Sequence, residues 1–317
     1  MPANSSIEQL SHYCKATADS QRLQILRVLS KESFGVLELC QVLEVGQSAL
    51  SHHLKILANA NLVETRREGT SIFYRRALIH AEDPLRQLRQ SLFESIDETE
   101  LPVDQASRIR QVYDCRHQQA KSFFKKNAHR FQENQNLIAE YNHYSQCIDD
   151  VLDNESIAST ATAIEIGPGD SDLILTLANR FHNITAIDNT AEMLEKTRRK
   201  TATAGKDNVN FLVGELHDHK GNCELLVLNM VLHHLASPIN FFFEAKQHLK
   251  AGGCLLIADL CAHDQNWTTD TCGDLWLGFD ADELDGWASA AGFEQGQSLY
   301  LGLKNGFQVQ VRTYHQL

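Results

Sequence analysis

The chain lacks any apolar run of the roughly 18 residues that a membrane-spanning helix needs, which excludes a helical membrane protein. Its first residues, Met1 to Ser6, lack the basic stretch and apolar core of a secretory signal, so the expected compartment is the cytoplasm. Eight cysteines are present, yet none forms a Cys-x-Cys or Cys-x-x-Cys pair. That scatter excludes a disulfide framework and leaves small buried apolar residues as the expected role for most of them.

Basic charge is also scarce: 29 Lys and Arg stand against 41 Asp and Glu, a net −12. The deficit is uneven. Residues 1–80 carry nine basic and seven acidic side chains, residues 81–150 nine and twelve, and residues 151–317 eleven and twenty-two. Nucleic-acid binding needs a local basic face rather than a basic chain, and only the first stretch is net positive. The length of 317 residues fits about two domains of roughly 100–200 residues.

Helical patterns fill the start of the chain. The first runs from Ile7 to Ala18. Ser20 is the expected N-cap of a second, with Leu23, Ile25, Leu26 and Leu29 as its apolar stripe. A short segment, Val36 to Leu43, is broken by Gly46, and another helix runs from Gln47 through Leu50, Leu54 and Leu57 to about Asn59. Two short helices around a glycine turn are a helix-turn-helix pattern. Leu62 to Arg75, interrupted by Gly69, predicts a strand, a turn and a strand: a β-hairpin wing. The outward residues of the Gln47 helix are Gln47, Ser48, Ser51, His52 and Lys55, side chains that bond base edges or phosphates in a major groove. Arg66 and Arg67 on the wing suit phosphates or the minor groove. The competing reading, a solvated face on a helical hairpin, leaves the wing unexplained. His53 is expected to be packed or at the phosphate edge.

Residues 7–78 resemble the ArsR/SmtB family of winged-helix repressors. The likeness rests on Ala18-Asp19-Ser20-Gln21-Arg22-Leu23-Gln24-Ile25-Leu26, on Glu38-Leu39-Cys40, on Gln47 through Leu57, and on Arg67-Glu68-Gly69 and Tyr74 in the wing. It implies a homodimer on double-stranded operator DNA, released when a ligand binds. Arsenic sensors of that family place a Cys-x-Cys in the third helix. Here Cys40 is followed by Val42 in the second position, and one thiolate cannot build a multidentate soft-metal site. No metal is expected.

Residues 81–150 read as a helical linker, with Pro84 near the start of one helix and Pro102 between two. Leu85, Leu88 and Leu92 form a stripe that suits either a dimer helix or packing on its own domain. Ser122 to Phe131 resembles the Phe-Phe-x-x-x-Ala segment that precedes many small-molecule methyltransferase domains and there caps the cofactor pocket. Phe123, Phe124 and Phe131 read equally well as core residues. The expected domains are 1–80, 81–150 and 151–317.

From about residue 160 strands and helices alternate, which predicts an α/β Rossmann-like fold with a mostly parallel sheet covered on both faces. Ligands of such sheets sit at the carboxyl ends of the strands. Gly167 and Gly169, after the strand Ala163–Ile166, let backbone approach a ligand. Asp188 ends the next strand 21 residues later, placed to accept from ribose hydroxyls. Nicotinamide enzymes share that pair. Three features favour S-adenosylmethionine (SAM) instead: Glu-Ile-Gly-Pro-Gly-Asp in the first turn, Asn189-Thr190-Ala191-Glu192-Met193-Leu194 after the acid, and Leu228-Asn229-Met230-Val231-Leu232-His233-His234-Leu235 before a Lys-Ala-Gly-Gly turn at 250–253.

Together these resemble class I SAM-dependent methyltransferases, with seven-stranded sheets, over residues 120–317. The resemblance implies that Glu165, Gly167 and Gly169 frame the methionine part, Asp188 and its neighbour Asn189 the ribose, Met193 and Gly214-Glu215 the adenine, and that Asn229 lies under the methionine part. Ser171 stands where a third glycine is usual, and Glu215-Leu216 where an Asp is common. His233 and His234 fit the family pattern or are helix-start residues without chemistry; Asp170 and Asp172 read also as helix N-terminal charges. No catalytic residue is assigned, since positioning supplies most of the rate of methyl transfer. Two functions follow. The same domain order occurs in ArsR-type repressors of methionine- and SAM-cycle genes that respond to S-adenosylhomocysteine (SAH), which makes this fold a sensor of SAH or SAM rather than an enzyme. The alternative is an active small-molecule methyltransferase with a fused regulatory DNA-binding domain.

Overall fold

The computed structural model describes residues 7–68, 71–79, 83–127 and 131–317. The chain divides into two units, Met1–Cys115 and Arg116–Leu317.

The first unit opens with α1 (Ile7–Thr17) and α2 (Ser20–Val28). The cap of α2 is Asp19, not Ser20: its backbone is extended and its carboxylate accepts from Arg22 N at 3.0 Å. Both residues are good caps, and the one whose carboxylate meets the exposed amide wins. A two-residue strand β1 (Phe34–Gly35), absent from the sequence expectation, leads into α3 (Val36–Leu43). Glu38 accepts from Gly35 N at 2.7 Å and closes the start of α3. Then follow α4 (Gln47–Asn59), β2 (Val63–Glu68) and β3 (Ser71–Arg76), and β1 completes the wing as an antiparallel sheet of order β1-β3-β2. Gly69, expected at the tip of the wing, lies outside the described residues.

Ile25, Leu26, Leu39, Leu50, Leu54 and Leu57 are fully buried and form the centre of this unit. Leu50, Leu54 and Leu57 follow each other at the i, i+4, i+7 spacing that puts apolar side chains on one helix face. After α5 (Arg86–Asp97) comes α6 (Val103–Asn127), within which the division between units falls. Of the expected stripe on α5, Leu85 and Leu92 pack against the unit's own core, while Leu88 stays exposed. Arg76 fixes the end of α5 with two bonds to Asp97 at 2.7 and 2.9 Å.

The second unit has helices α7 (Phe131–Ile138) and α8 (Tyr141–Asn154) ahead of β4 (Thr162–Ile166), α9 (Leu173–Arg180), β5 (Asn183–Asp188), α10 (Ala191–Thr203), β6 (Val209–Val213) and β7 (Cys223–Asn229). After α11 (Pro238–His248) come β8 (Leu249–Leu260), α12 (Trp267–Cys272), α13 (Ala281–Ala291), β9 (Phe293–Gly302) and β10 (Gln308–Gln316). The seven strands run in the order β6-β5-β4-β7-β8-β10-β9. All pairs from β6 to β8 are parallel, and β10 is antiparallel to both its neighbours. Because β4 lies centrally between β5 and β7, the crossovers leave β4 in opposite directions, and the loop after it opens at the switch point where such sheets bind ligands.

The expected turn at 250–253 is instead a bulged part of β8: Leu249 pairs with Cys223, and the register then slips before Cys254 pairs with Leu225. Gly252 at φ 71° absorbs the bend. α13 was not anticipated.

Candidate functional site

In the first unit, Leu50, Leu54 and Leu57 turn one side of α4 inward, which leaves Gln47, Ser48, Ser51, His52 and Lys55 exposed together. No acidic residue lies on this helix, so nothing on it opposes a phosphate. His53 is half-buried, with Nδ1 3.8 Å from the Asp19 carboxylate. The two wing arginines differ. Arg67 is exposed, whereas Arg66 is half-buried and paired with buried Glu68. Val42, in the place of a second thiolate, belongs to the core, and burial raises the Cys40 thiol above its ordinary range.

In the second unit a cavity of about 320 Å³ opens at the carboxyl ends of β4, β5 and β7. Eight of the nine residues expected to hold a cofactor line it: Gly167, Gly169, Asp188, Asn189, Met193, Gly214, Glu215 and Asn229. The ninth, Glu165, is buried in β4 behind the loop. Neither of its carboxylate oxygens has a hydrogen-bond partner among the described residues. Burial pushes it up to about 8, opposed by the charge of Lys200.

The backbone around the cavity needs its glycines. Gly167 has φ 61°, and a Cβ there would meet the Val231 side chain at 2.7 Å. A Cβ on Gly214 would meet the Asp218 carboxylate at 2.5 Å. Asp188 uses Oδ1 to accept from Thr190 N and Thr190 Oγ1, both at 2.8 Å. Burial raises its carboxyl above the ordinary range, against those two bonds. Oδ2 makes no hydrogen bond among the described residues, so it is the oxygen available to a ligand in the cavity.

Ser171, in the place of a third glycine, is wired into the site. Its Oγ accepts from Asn229 Nδ2 at 3.1 Å and from Leu173 N at 3.1 Å. Asn229 Oδ1 in turn accepts from the buried Tyr144 hydroxyl at 2.9 Å. From the other side α10 holds the loop: Thr197 donates to Gly169 O at 2.7 Å, and Lys200 binds the Asp170 carbonyl and, at 2.7 Å, the Asp172 carboxylate. Asp170 and Asp172 thus partner Lys200 near the start of α9. His117 lies 3.0 Å from Glu215 at the cavity wall.

His233 and His234 take different states. His233 is fully buried, with Nδ1 2.7 Å from Asp259 Oδ1 and Nε2 3.6 Å from Asp274 Oδ1. Burial disfavours its charge, but the two carboxylates outweigh that and lift it to about 9. His234 lines the cavity, and burial together with its charged neighbour pushes it well below its ordinary value. Its Nδ1 lies 3.3 Å from Gly273 O, which can only accept, and its Nε2 lies 3.3 Å from Gln135 Nε2. The neutral ring therefore carries its proton on Nδ1. Phe124 packs edge-on to His234 at 4.8 Å and lines the cavity, while Phe123 packs on Gly273. The Phe131 side chain lies outside the described residues.

Residues 19–65 match the model of the bacterial regulatory protein arsR family, and residues 164–257 match that of a methyltransferase domain. The chain is 33% identical over 88 residues to a transcriptional repressor SmtB homolog of Synechocystis, a stretch covering 28% of this chain and 67% of that one. The chain belongs to the ArsR family of bacterial regulatory proteins. This ArsR-family chain is also 48% identical over 60 residues to the transcriptional activator HlyU of Vibrio cholerae, covering 19% and 56% of the two. It therefore spans between about half and two thirds of these relatives' lengths. Its other unit has the fold of a class I methyltransferase. The 1,6-didemethyltoxoflavin-N1-methyltransferase of Burkholderia thailandensis, solved with bound 1,6-didemethyltoxoflavin and SAH, superposes with TM-score 0.51 at 17% identity, covering 69% of this chain and 92% of that one. At that identity the likeness concerns the fold alone.

An ArsR-type DNA-binding unit is thus joined in one chain to a methyltransferase-fold unit. Sequence reasoning missed Tyr144, Thr197 and Lys200 as supports of the site. A signal for two of them existed: Met193, Thr197 and Lys200 follow each other at i, i+4, i+7 and so share one face of α10. Asp259 and Asp274 gave none, because only the tertiary fold brings them to His233.

Proposed function

We propose that this ArsR-family regulator is a homodimeric repressor of double-stranded operator DNA whose affinity is set by SAH or SAM in the cavity of its methyltransferase-fold unit. Gln47, Ser48, Ser51, His52 and Lys55 read the major groove, with Arg66 and Arg67 on the wing beside it. Asp188 and Asn189 hold the ribose. Gly167 and Gly169 admit the methionine part over Asn229, Glu165 supports that loop, and Met193 with Gly214 and Glu215 borders the adenine. Regulation of methionine- or SAM-cycle genes follows from the ligand.

One observation carries the reading: among the described residues Asp188 Oδ2 is left without a hydrogen bond, at a cavity bordered by Gly167, whose positive φ and close approach to Val231 disfavour a side chain. A nucleoside bearing two adjacent hydroxyls fits that acceptor. The fold neighbour from Burkholderia thailandensis holds SAH in its crystal structure, which supports the choice of ligand. A ligand changes DNA affinity only through unequal binding to two states, typically by 1–3 kcal/mol.

Calorimetric titration of the ligand-free chain with SAH, SAM and adenosine tests the ligand. Saturable binding of SAH or SAM with one site per chain is expected; no heat with either overturns the assignment. Transfer of the methyl group of SAM to a small-molecule acceptor would make the chain the alternative, an active methyltransferase.

A further inference from the structure

Four ionisable side chains meet in the second unit, largely apart from the residues expected to hold SAH. His233 follows β7, Asp259 lies in β8, and Asp274 follows α12; all three are fully or almost fully buried, and His234 is nearly so. Among the described residues, His233 Nε2 and the Asp274 carboxylate oxygens lack a hydrogen bond of good geometry. The neighbouring Thr268 hydroxyl is shared between Gln265 O, at 3.3 Å, and the Asp274 carboxylate, and is one neutral donor beside that carboxylate. A buried carboxylate costs several kcal/mol unless a cation faces it; in the ion-free chain that role falls to the protonated His233 ring, whose Nε2 stands 3.6 Å from Asp274 Oδ1, beyond hydrogen-bond reach.

We propose that His233 Nε2, His234 Nδ1 and Asp274 form a site for one divalent first-row metal ion, Zn²⁺ first among them. These donor atoms all lie within 4.8 Å of one another. Asp274 Oδ1 is 3.6 Å from His233 Nε2 and 3.7 Å from His234 Nδ1. Ligand bonds of about 2.0–2.2 Å in a tetrahedron set donor atoms roughly 3.3–3.6 Å apart, so the two pairs with Asp274 need a contraction of a few tenths of an ångström, and the two imidazole nitrogens, within 4.8 Å of each other, close the rest by ring rotation. Two imidazoles and a carboxylate are a borderline donor set that suits Zn²⁺, Co²⁺, Ni²⁺ or Fe²⁺ rather than Mg²⁺ or Ca²⁺.

The outer contacts fit too. Metal-bound imidazoles donate their other N–H to an oxygen. His233 Nδ1 already lies 2.7 Å from Asp259 Oδ1, and that carboxylate is itself fixed by Leu232 N at 2.9 Å and Leu260 N at 2.7 Å. For His234 the partner is Gln135, 3.3 Å from Nε2, whose amide presents its oxygen after a half turn. The ion takes the place of the protons on His233 Nε2 and His234 Nδ1, so binding releases protons. It joins the segment after β7 to the segment after α12, with His234 shared between the ion and the cavity wall. This departs from the sequence expectation of no metal. The second cluster, Glu155, Cys254 and His315, differs because Glu155 Oε1 already accepts from Gln297 at 2.8 Å and Thr313 at 3.0 Å.

The full chain, freed of metal by a chelator, is titrated with Co²⁺ and followed by its visible d–d absorption, then back-titrated with Zn²⁺. One equivalent of Co²⁺ per chain with the strong absorption of a low-coordinate site, displaced by one equivalent of Zn²⁺, is expected. Asp274→Asn should weaken binding at least tenfold, and His315→Gln should leave it unchanged. Only the weak absorption of hydrated Co²⁺ in the unaltered chain overturns the proposal, whatever the variants do. Full binding retained by folded Asp274→Asn, or lost in His315→Gln alone, overturns it as well.

Discussion

The Ser171 hydroxyl accepts a hydrogen bond from the Asn229 side-chain amide at 3.1 Å, which ties the loop after β4 to the end of β7. The same oxygen receives Leu173 N at 3.1 Å near the start of α9. Ser171→Ala removes the acceptor of both donors, and an orphaned donor costs about 1–3 kcal/mol. We expect the unfolding midpoint in urea to fall by an amount equivalent to about 1–2 kcal/mol, with SAH binding weakened because Asn229 loses its anchor. An unchanged midpoint would mean that water replaces the hydroxyl.

Asp188→Ala should weaken SAH binding by about tenfold to a hundredfold, the loss of one or two charge-assisted hydrogen bonds. Calorimetry on a variant that keeps the circular dichroism of the parent reads this directly. Equal affinity would place the ribose elsewhere.

On the DNA-binding unit, Arg67→Ala and Lys55→Ala should each lower operator affinity and reduce the slope of log affinity against log salt by about 1. Arg66→Ala should reduce it by less, because Arg66 is already paired with Glu68. Fluorescence anisotropy between low and moderate salt separates them; a larger effect at Arg66 would show that the pair opens on DNA.

Glu165 sets a pH dependence. Its folded-state value of about 8 lies above the ordinary 4.5, through burial. Below pH 4.5 it is protonated folded or unfolded. Between 4.5 and 8 the folded chain keeps a proton that the unfolded chain has lost, so stability declines as pH rises through that window. Glu165→Gln removes the decline. The thermal midpoint of the ligand-free variant should exceed that of the parent at pH 8.5, by an effect on the order of a few kcal/mol, with a much smaller difference at pH 5. An equal difference at both values would place the titration elsewhere.

The parts legible in the sequence were those with local causes. Leu50, Leu54 and Leu57 repeat at helical spacing, so the exposed set from Gln47 to Lys55 followed from them. Gly167, Gly169 and Asp188 mark strand ends, so their place around one cavity followed from the βα alternation. Hidden features had non-local causes. β1 exists only because β3 pairs with it. The pairing of Arg66, expected on the DNA side of the wing, with Glu68 on its own strand was not signalled by the sequence pattern. His233 gave no sign of Asp259 and Asp274, 26 and 41 residues further on. Glu165 stands in the expected motif yet lies behind the cavity rather than on its wall.

The most direct measurement is operator affinity by fluorescence anisotropy, using DNA from upstream of the chain's own gene, without ligand, with saturating SAM and with saturating SAH. SAH should weaken binding by about 5–150-fold, and Asp188→Ala should move this response to about tenfold to a hundredfold higher SAH while keeping the ligand-free DNA affinity. Identical affinities in all three conditions, from a chain that binds both SAH and the DNA, would contradict it.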